Sequence, residues 1–155
     1  MSKLVSISIS QDDFNLPTPE VLQEQSLAIY DLHQSNFFQL VGFESYDEIK
    51  LKISLSGSSL VFEMNSINDE ILKTFFLSLT PLKQIINDYY TICESYFNAV
   101  KNLPIDRIES IDMGRKGIHN EGARVIIERL EGRVKTDLET SRRLFTLIYA
   151  LTYER

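Results

Sequence analysis

The first half of the chain alternates between hydrophobic and polar residues, a pattern typical of β-strands. Residues 5–9 place valine and isoleucine at every second position between serines, which predicts a strand with one buried face. Residues 49–55 and 60–65 show the same alternation on either side of Gly57, which predicts a β-hairpin. The apolar run at residues 71–79 predicts a fourth strand. Together these segments predict an antiparallel sheet of about four strands.

The second half changes to a three-four spacing of hydrophobic residues, which is the period of an α-helix. The predicted helices cover residues 18–33, 80–102, 105–113, 120–131 and 136–151. Most strands therefore precede most helices, which predicts the α+β class, with a layer of helices covering the sheet. The length of 155 residues fits a single domain, residues 1–155.

The segment between the third and fourth predicted helices is polar and rich in glycine. Gly114 and Gly117 predict a structural turn, and Asn120 is the predicted N-cap of the helix that follows. Glycines let successive N–H groups point the same way, and a helix start adds its positive end, so residues 114–121 form a candidate anion site. The predicted binding residues are Arg115, Lys116, His119, Asn120, Glu121, Arg142 and Arg143. The alternative is a tight turn between helices whose basic side chains are solvated.

Charge changes this picture in one respect. The net charge is −6, which argues against binding nucleic acid through bulk charge. Every arginine, however, lies at or after Arg107, so a local arginine-rich surface is available to bind an anionic small molecule.

Few residues are available for metal or redox chemistry. Cys93 is the single cysteine, and the histidines His33 and His119 are 86 positions apart, so we predict no disulfide framework, metal site or cofactor. No stretch approaches the ~18 apolar residues that span a bilayer. Residues 1–10 do not resemble a secretory signal. We therefore expect a cytoplasmic protein without a membrane partner.

Three other functions remain open from the residues alone. A small enzyme would use His119 with Asp112 or Glu121 as acid–base groups on an anionic substrate. RNA binding would use the GxxG turn at residues 114–117, as in a KH module. A protein interface or homo-oligomer would use residue types that are enriched at interfaces. The candidates for such an interface are Tyr89, Tyr90, Tyr96 and Phe97, with Arg142 and Arg143.

Several short motifs of the chain are similar to those of a known family. They are Ser78-Leu79-Thr80-Pro81, Asp88-Tyr89-Tyr90, Ile92-Cys93-Glu94-Ser95-Tyr96, Ile111-Asp112-Met113-Gly114-Arg115-Lys116-Gly117, His119-Asn120-Glu121-Gly122, Glu128-Arg129-Leu130-Glu131-Gly132 and Arg142-Arg143-Leu144-Phe145-Thr146-Leu147. Together they resemble Uncharacterised Protein Family 0262, a family of small alphaproteobacterial proteins. That family has no established activity, so the resemblance implies a bacterial cytoplasmic setting and no mechanism. The function that the residues favour is a non-catalytic binding or regulatory protein, with residues 114–121 as its anion or partner surface.

Overall fold

The computed structural model describes residues 2–10 and 17–153 of the chain. Its elements in chain order are β1 (Lys3–Ile9), α1 (Pro19–Gln34), β2 (Phe38–Leu40), β3 (Glu48–Ser56), β4 (Ser59–Asn65), β5 (Ile71–Ser78), α2 (Thr80–Asn102), α3 (Ile105–Leu130), β6 (Val134–Thr136) and α4 (Leu138–Thr152). The α+β class is confirmed, with the main sheet in the N-terminal half and most helices in the C-terminal half. No helix in the described ranges is long and apolar enough to cross a bilayer.

The main sheet has the strand order β1-β3-β4-β5. Strands β3, β4 and β5 form the antiparallel meander that the alternation predicts. The sheet is mixed, however, because β1 pairs with β3 in parallel. Helix α1 follows β1 and returns the chain to the end of the sheet where β1 began, so β3 runs in the same direction. The prediction of a wholly antiparallel sheet is therefore wrong at this one pair.

A second, two-stranded sheet joins β2 to β6 in antiparallel register. Each of these strands is three residues long, which is too short for alternation to mark either one in the sequence. The pairing ties the segment after α1 to the segment between α3 and α4. It therefore fixes the start of α4 beside the end of α1.

Helix α4 lies at the centre of the helical layer. It contacts α1, α3 and β3, and its residues from Leu144 to Ala150 are buried on every side. A helix that is enclosed in this way needs apolar residues around its whole circumference. The sheet presents the alternating buried positions of its strands to the same core, such as Ile49, Leu51 and Ile53 of β3.

Helix α3 is continuous from Ile105 to Leu130, which corrects the prediction for this segment. Gly114 and Gly117 lie inside the helix and make no turn, and Asn120 is an interior residue and not an N-cap. The predicted helix end at Gly132 is confirmed, with φ of +85° directly after the C-cap residue Glu131.

Close packing explains Gly122 of α3, and a slighter contact is present at Gly114. A Cβ at Gly114 would lie 2.8 Å from Cδ1 of Ile92 on α2, and a Cβ at Gly122 would overlap the ring of Phe145 on α4. Glycine at these positions lets α3 approach its two neighbouring helices. This packing outweighs the helix-propensity cost of glycine, which is about 0.5–1 kcal/mol per residue relative to alanine.

Candidate functional site

The four helices meet around a pocket of about 250 Å³. Its walls combine charged, aromatic and aliphatic side chains from all of them. They are Glu24, Leu27, Ala28 and Asp31 from α1, Tyr89 from α2, Arg115, Lys116 and His119 from α3, and Arg142, Arg143 and Thr146 from α4.

Five of the seven predicted binding residues line this pocket, namely Arg115, Lys116, His119, Arg142 and Arg143. Their positions follow from helical periodicity, because residues four apart lie on the same helix face. Arg115 and His119 are such a pair on α3. Asn120 and Glu121 point elsewhere and lie outside the pocket lining. The cationic side chains therefore converge on a concave site between helices and not on a turn.

Arg115 is held by several groups at once. Its Nε and Nη2 atoms donate hydrogen bonds to Oδ1 of Asp112 at 3.1 and 2.6 Å. Its guanidinium lies 4.1 Å from the centroid of the Tyr96 ring, a cation–π contact. Its Nη1 lies 3.8 Å from Oε1 of Glu24, a longer ion pair. Lys116 reaches the other oxygen of Asp112 at 3.2 Å. Arg115 is thus held in place by contacts within the protein.

The two arginines of α4 are less completely paired. Arg142 Nη1 donates to Oε1 of Glu139 at 3.3 Å, while Arg142 Nε is buried without a hydrogen-bond partner among the described residues. Arg143 Nε lies 3.3 Å from Oδ2 of Asp31, and its Nη2 is 4.0 Å from Glu139. Both arginines lie in the second turn of α4, which begins at Leu138. The pocket therefore receives two cationic side chains from α4, one of them with an unpartnered donor among the described residues.

His119 forms the buried part of the wall and is 8% exposed. His119 Nε2 lies 2.8 Å from Thr146 Oγ1, which is also 3.3 Å from the carbonyl oxygen of Arg142. His119 Nδ1 is buried without a hydrogen-bond partner within the described ranges. Burial, together with Arg142, Arg143 and Arg115, lowers the pKa of His119 to about 4. The imidazole is therefore neutral at pH 7.

Carboxylates balance the cationic side chains. Four cationic and two carboxylate side chains line the pocket, and Asp112 and Glu139 pair with the cations from just outside it. Burial raises the pKa of Glu24, and Arg115 only partly opposes that shift. Hydrogen bonds from Arg115 and Lys116 outweigh the effect of burial on Asp112 and lower the pKa of that carboxyl. Asp112 is thus a firmly paired carboxylate, whereas Glu24 is a loosely paired one.

The structure does not form the acid–base pairs that the enzyme hypothesis requires. The hydrogen bond of His119 goes to Thr146, and Asp112 is occupied by Arg115 and Lys116. Glu121 is exposed and lies outside the pocket. The RNA hypothesis loses its GxxG turn, because residues 114–117 are helical. Across residues 2–10 and 17–153, no group of three histidine, cysteine or acidic side chains is arranged to hold a metal ion.

Four polar residues of the pocket were not predicted as site residues from the sequence. Glu24 and Asp31 are seven residues apart on α1, which places them two turns apart on one helix face. Thr146 follows Arg142 by four residues on α4, and Tyr89 was named from the sequence only as a candidate for a protein interface. The spacing of the acidic pair Glu24 and Asp31 on one predicted helix was the signal in the sequence that could have pointed to this wall of the pocket. It is informative only once α1 is known to pack beside α3 and α4.

Comparison with known proteins confirms the resemblance seen in the sequence. The profile of a family described as "Uncharacterised protein family (UPF0262)" matches residues 1–154. A UPF0262 protein of Dinoroseobacter shibae is 46% identical over 157 residues, covering 99% of both chains. UPF0262 proteins of Ruegeria pomeroyi and Cereibacter sphaeroides are 45% and 47% identical, with at least 97% of each chain covered. No solved structure matches the chain.

Proposed function

This chain belongs to the uncharacterised family UPF0262, and we propose that it is a non-catalytic cytoplasmic protein that binds a small anionic molecule in the pocket between its four helices. One observation carries the proposal. Cationic side chains that are distant in sequence, Arg115 and Lys116 on α3 and Arg142 and Arg143 on α4, line the same concave site.

Arginine is suited to this role because its guanidinium offers five N–H donors in a planar fork that fits carboxylate and phosphate groups. Arg142 keeps its Nε donor buried and unpartnered in the described part of the chain, although Glu139 accepts from Nη1. A buried donor without a partner costs about 1–3 kcal/mol, and an anionic ligand would recover part of that energy.

The size and chemistry of the pocket favour binding over catalysis and a small ligand over a polymer. A volume of about 250 Å³ lies just below the range of ~300–1,000 Å³ that is usual for drug-sized ligands. The histidine with a pKa of about 4 is a weak base at neutral pH, since general bases work best with a pKa near the working pH. His119 is therefore suited to shape the wall and accept a hydrogen bond.

The proposal can be tested by measuring the thermal stability of the protein with inorganic phosphate, sulfate and glutarate against sodium chloride of equal ionic strength. A ligand at 100 times its Kd raises the free energy of unfolding by about 2.7 kcal/mol. We expect at least one of the three anions to raise the melting temperature beyond the chloride control at low millimolar concentration and with a saturating dose dependence, because the general stabilisation by phosphate and sulfate is small there and does not saturate. If none of them does, the anion-binding proposal is wrong.

A variant pair then locates the site. Arg142→Gln removes the charge that carries the unpartnered donor, so we expect it to weaken anion binding about tenfold or more. Arg124→Gln is the matched control, because Arg124 is exposed on the same helix as Arg115 but lies outside the pocket lining. It should bind as the wild type does. Equal loss in both variants would show that the anion binds through general surface charge.

A further inference from the structure

The α1 wall of the pocket begins and ends with a carboxylate. Glu24 and Asp31 both line the pocket, and seven residues of helix place their backbones about 10 Å apart along the α1 axis. Leu27 and Ala28 lie between them in the sequence and also line the pocket. This wall is therefore polar at each end and aliphatic in the middle.

The two ends differ in how well their carboxylate is paired. Asp31 lies 3.3 Å from Nε of Arg143 on α4. Glu24 has only a 3.8 Å ion pair with Arg115, whose closest contacts at 2.6 and 3.1 Å go to Asp112. Among the described residues Glu24 makes no shorter polar contact. Its carboxylate is 27% exposed and faces the pocket.

A purely anionic ligand would leave Glu24 uncompensated and would bring a second negative charge toward it. The charged side chains in and immediately around the pocket are also balanced, four cationic and four acidic, which favours a ligand that carries both signs. Burial raises the pKa of Glu24, as expected for a carboxylate whose positive partner is distant.

We propose that the ligand is a small zwitterion in which a short aliphatic chain separates an ammonium group from a carboxylate or phosphate. Its anionic group meets Arg142 and Arg143, its ammonium group meets Glu24, and its aliphatic chain packs on Leu27 and Ala28. Arg142 Nε, which is buried without a partner among the described residues, is a donor that the anionic group would satisfy. The inference rests on the proposed anion-binding function and adds the ammonium subsite to it.

The test uses three probes of equal chain length: 5-aminopentanoate, pentanoate without the ammonium group, and 1-aminopentane without the anionic group. Their dissociation constants for the whole protein are measured at pH 7 by titration calorimetry. A buried charge-assisted contact to Glu24 predicts that 5-aminopentanoate binds about tenfold more tightly than pentanoate. We expect 1-aminopentane to bind more weakly than 5-aminopentanoate, because it lacks the group that meets the arginines.

Two variants test whether Glu24 causes the preference for 5-aminopentanoate over pentanoate. Glu24→Gln keeps the size of the side chain and removes its charge, so it should reduce the tenfold preference to less than about threefold while pentanoate affinity is kept. Glu20→Gln, an exposed position one turn earlier on α1 and outside this pocket, should retain the full preference.

The outcomes separate the two proposals. Equal affinity of the wild type for 5-aminopentanoate and pentanoate would overturn the ammonium subsite while leaving anion binding in place. A preference that persists in Glu24→Gln would also overturn it. If 5-aminopentanoate does not bind, the ammonium subsite is overturned, and if phosphate, sulfate and glutarate give no stabilisation either, both proposals fail.

Discussion

The buried histidine gives the sharpest test of the electrostatics of the pocket. Burial and the arginines Arg142, Arg143 and Arg115 lower the pKa of His119 to about 4, against an ordinary value of 6.5. In the unfolded chain these influences are lost, so the unfolded state binds a proton at a higher pH than the folded state does. Between these two pKa values the unfolded state therefore holds more protons, and the stability of the fold must fall as the pH is lowered.

The size of this effect follows from the two pKa values. A difference of about 2.5 pKa units corresponds to about 3 kcal/mol in the free energy of unfolding. The whole of this difference appears only below the folded-state pKa, where the histidine is protonated in both states. Between pH 7 and pH 5 the expected loss from His119 alone is about 2 kcal/mol, because the unfolded state is then almost fully protonated and the folded state is not. The titration of His119 therefore leaves the fold at its full stability above pH 6.5 and lowers that stability as the pH falls toward 4.

The assay compares urea unfolding of the wild type and of His119→Gln at pH 7 and pH 5. Within each protein, the free energy of unfolding at pH 5 is subtracted from that at pH 7, which removes any pH-independent cost of the substitution. Comparing the two proteins then removes most of the contribution of the carboxyl groups. We expect the wild type to lose about 2 kcal/mol more than His119→Gln. His33→Gln, which removes the exposed histidine at the end of α1, should behave as the wild type does. An equal loss in the wild type and His119→Gln would refute the assignment of a low pKa to His119.

Three further predictions concern the scaffold. Gly122→Ala should destabilise the fold by about 1–3 kcal/mol because its Cβ would overlap the ring of Phe145. Gly117→Ala lies in open space and should stabilise the fold by about 0.5–1 kcal/mol. Urea unfolding measures both changes, and equal effects would contradict the packing argument. Asp137→Ala should cost about 1 kcal/mol by removing the N-cap of α4, while Asp137→Asn should keep most of that stability in the same assay. Burial raises the pKa of Cys93 to about 12, so only about one thiol in ten thousand is ionised at pH 8 and alkylation should require unfolding; rapid labelling of the native protein would contradict this.

The main elements were readable from local patterns because each signal is short-range. Alternation marks β1, β3 and β4, and the three-four spacing marks α2, since the period of burial matches the period of the backbone. The parallel pairing of β1 with β3 is not local. It depends on where α1 carries the chain, which no residue pattern within either strand records.

The segment around Gly114 and Gly117 shows a case in which local sequence preference gives the wrong structure. Gly114 and Gly117 have the composition of a turn, and intrinsic propensity favours breaking the helix there. Packing of α3 between α2 and α4 overrides that preference, and it does so through contacts of Gly114 and Gly122 with distant residues. The sequence nevertheless singled out Arg115, Lys116 and His119, which line the pocket, because their residue types were unusual whether the backbone was a turn or a helix.

Several locally unfavourable features meet at one pocket. Burial and the neighbouring Arg142 and Arg143 keep His119 neutral in the wall of the pocket. Glu24 is half-buried with a distant partner, and Arg142 Nε has none in the described part of the chain. Each feature costs stability in the free protein, and natural proteins tend to concentrate such conflicts at functional sites. Under the proposed function, a ligand with a negative and a positive group would pair with Arg142 and Glu24 together, and the probe series above tests that expectation.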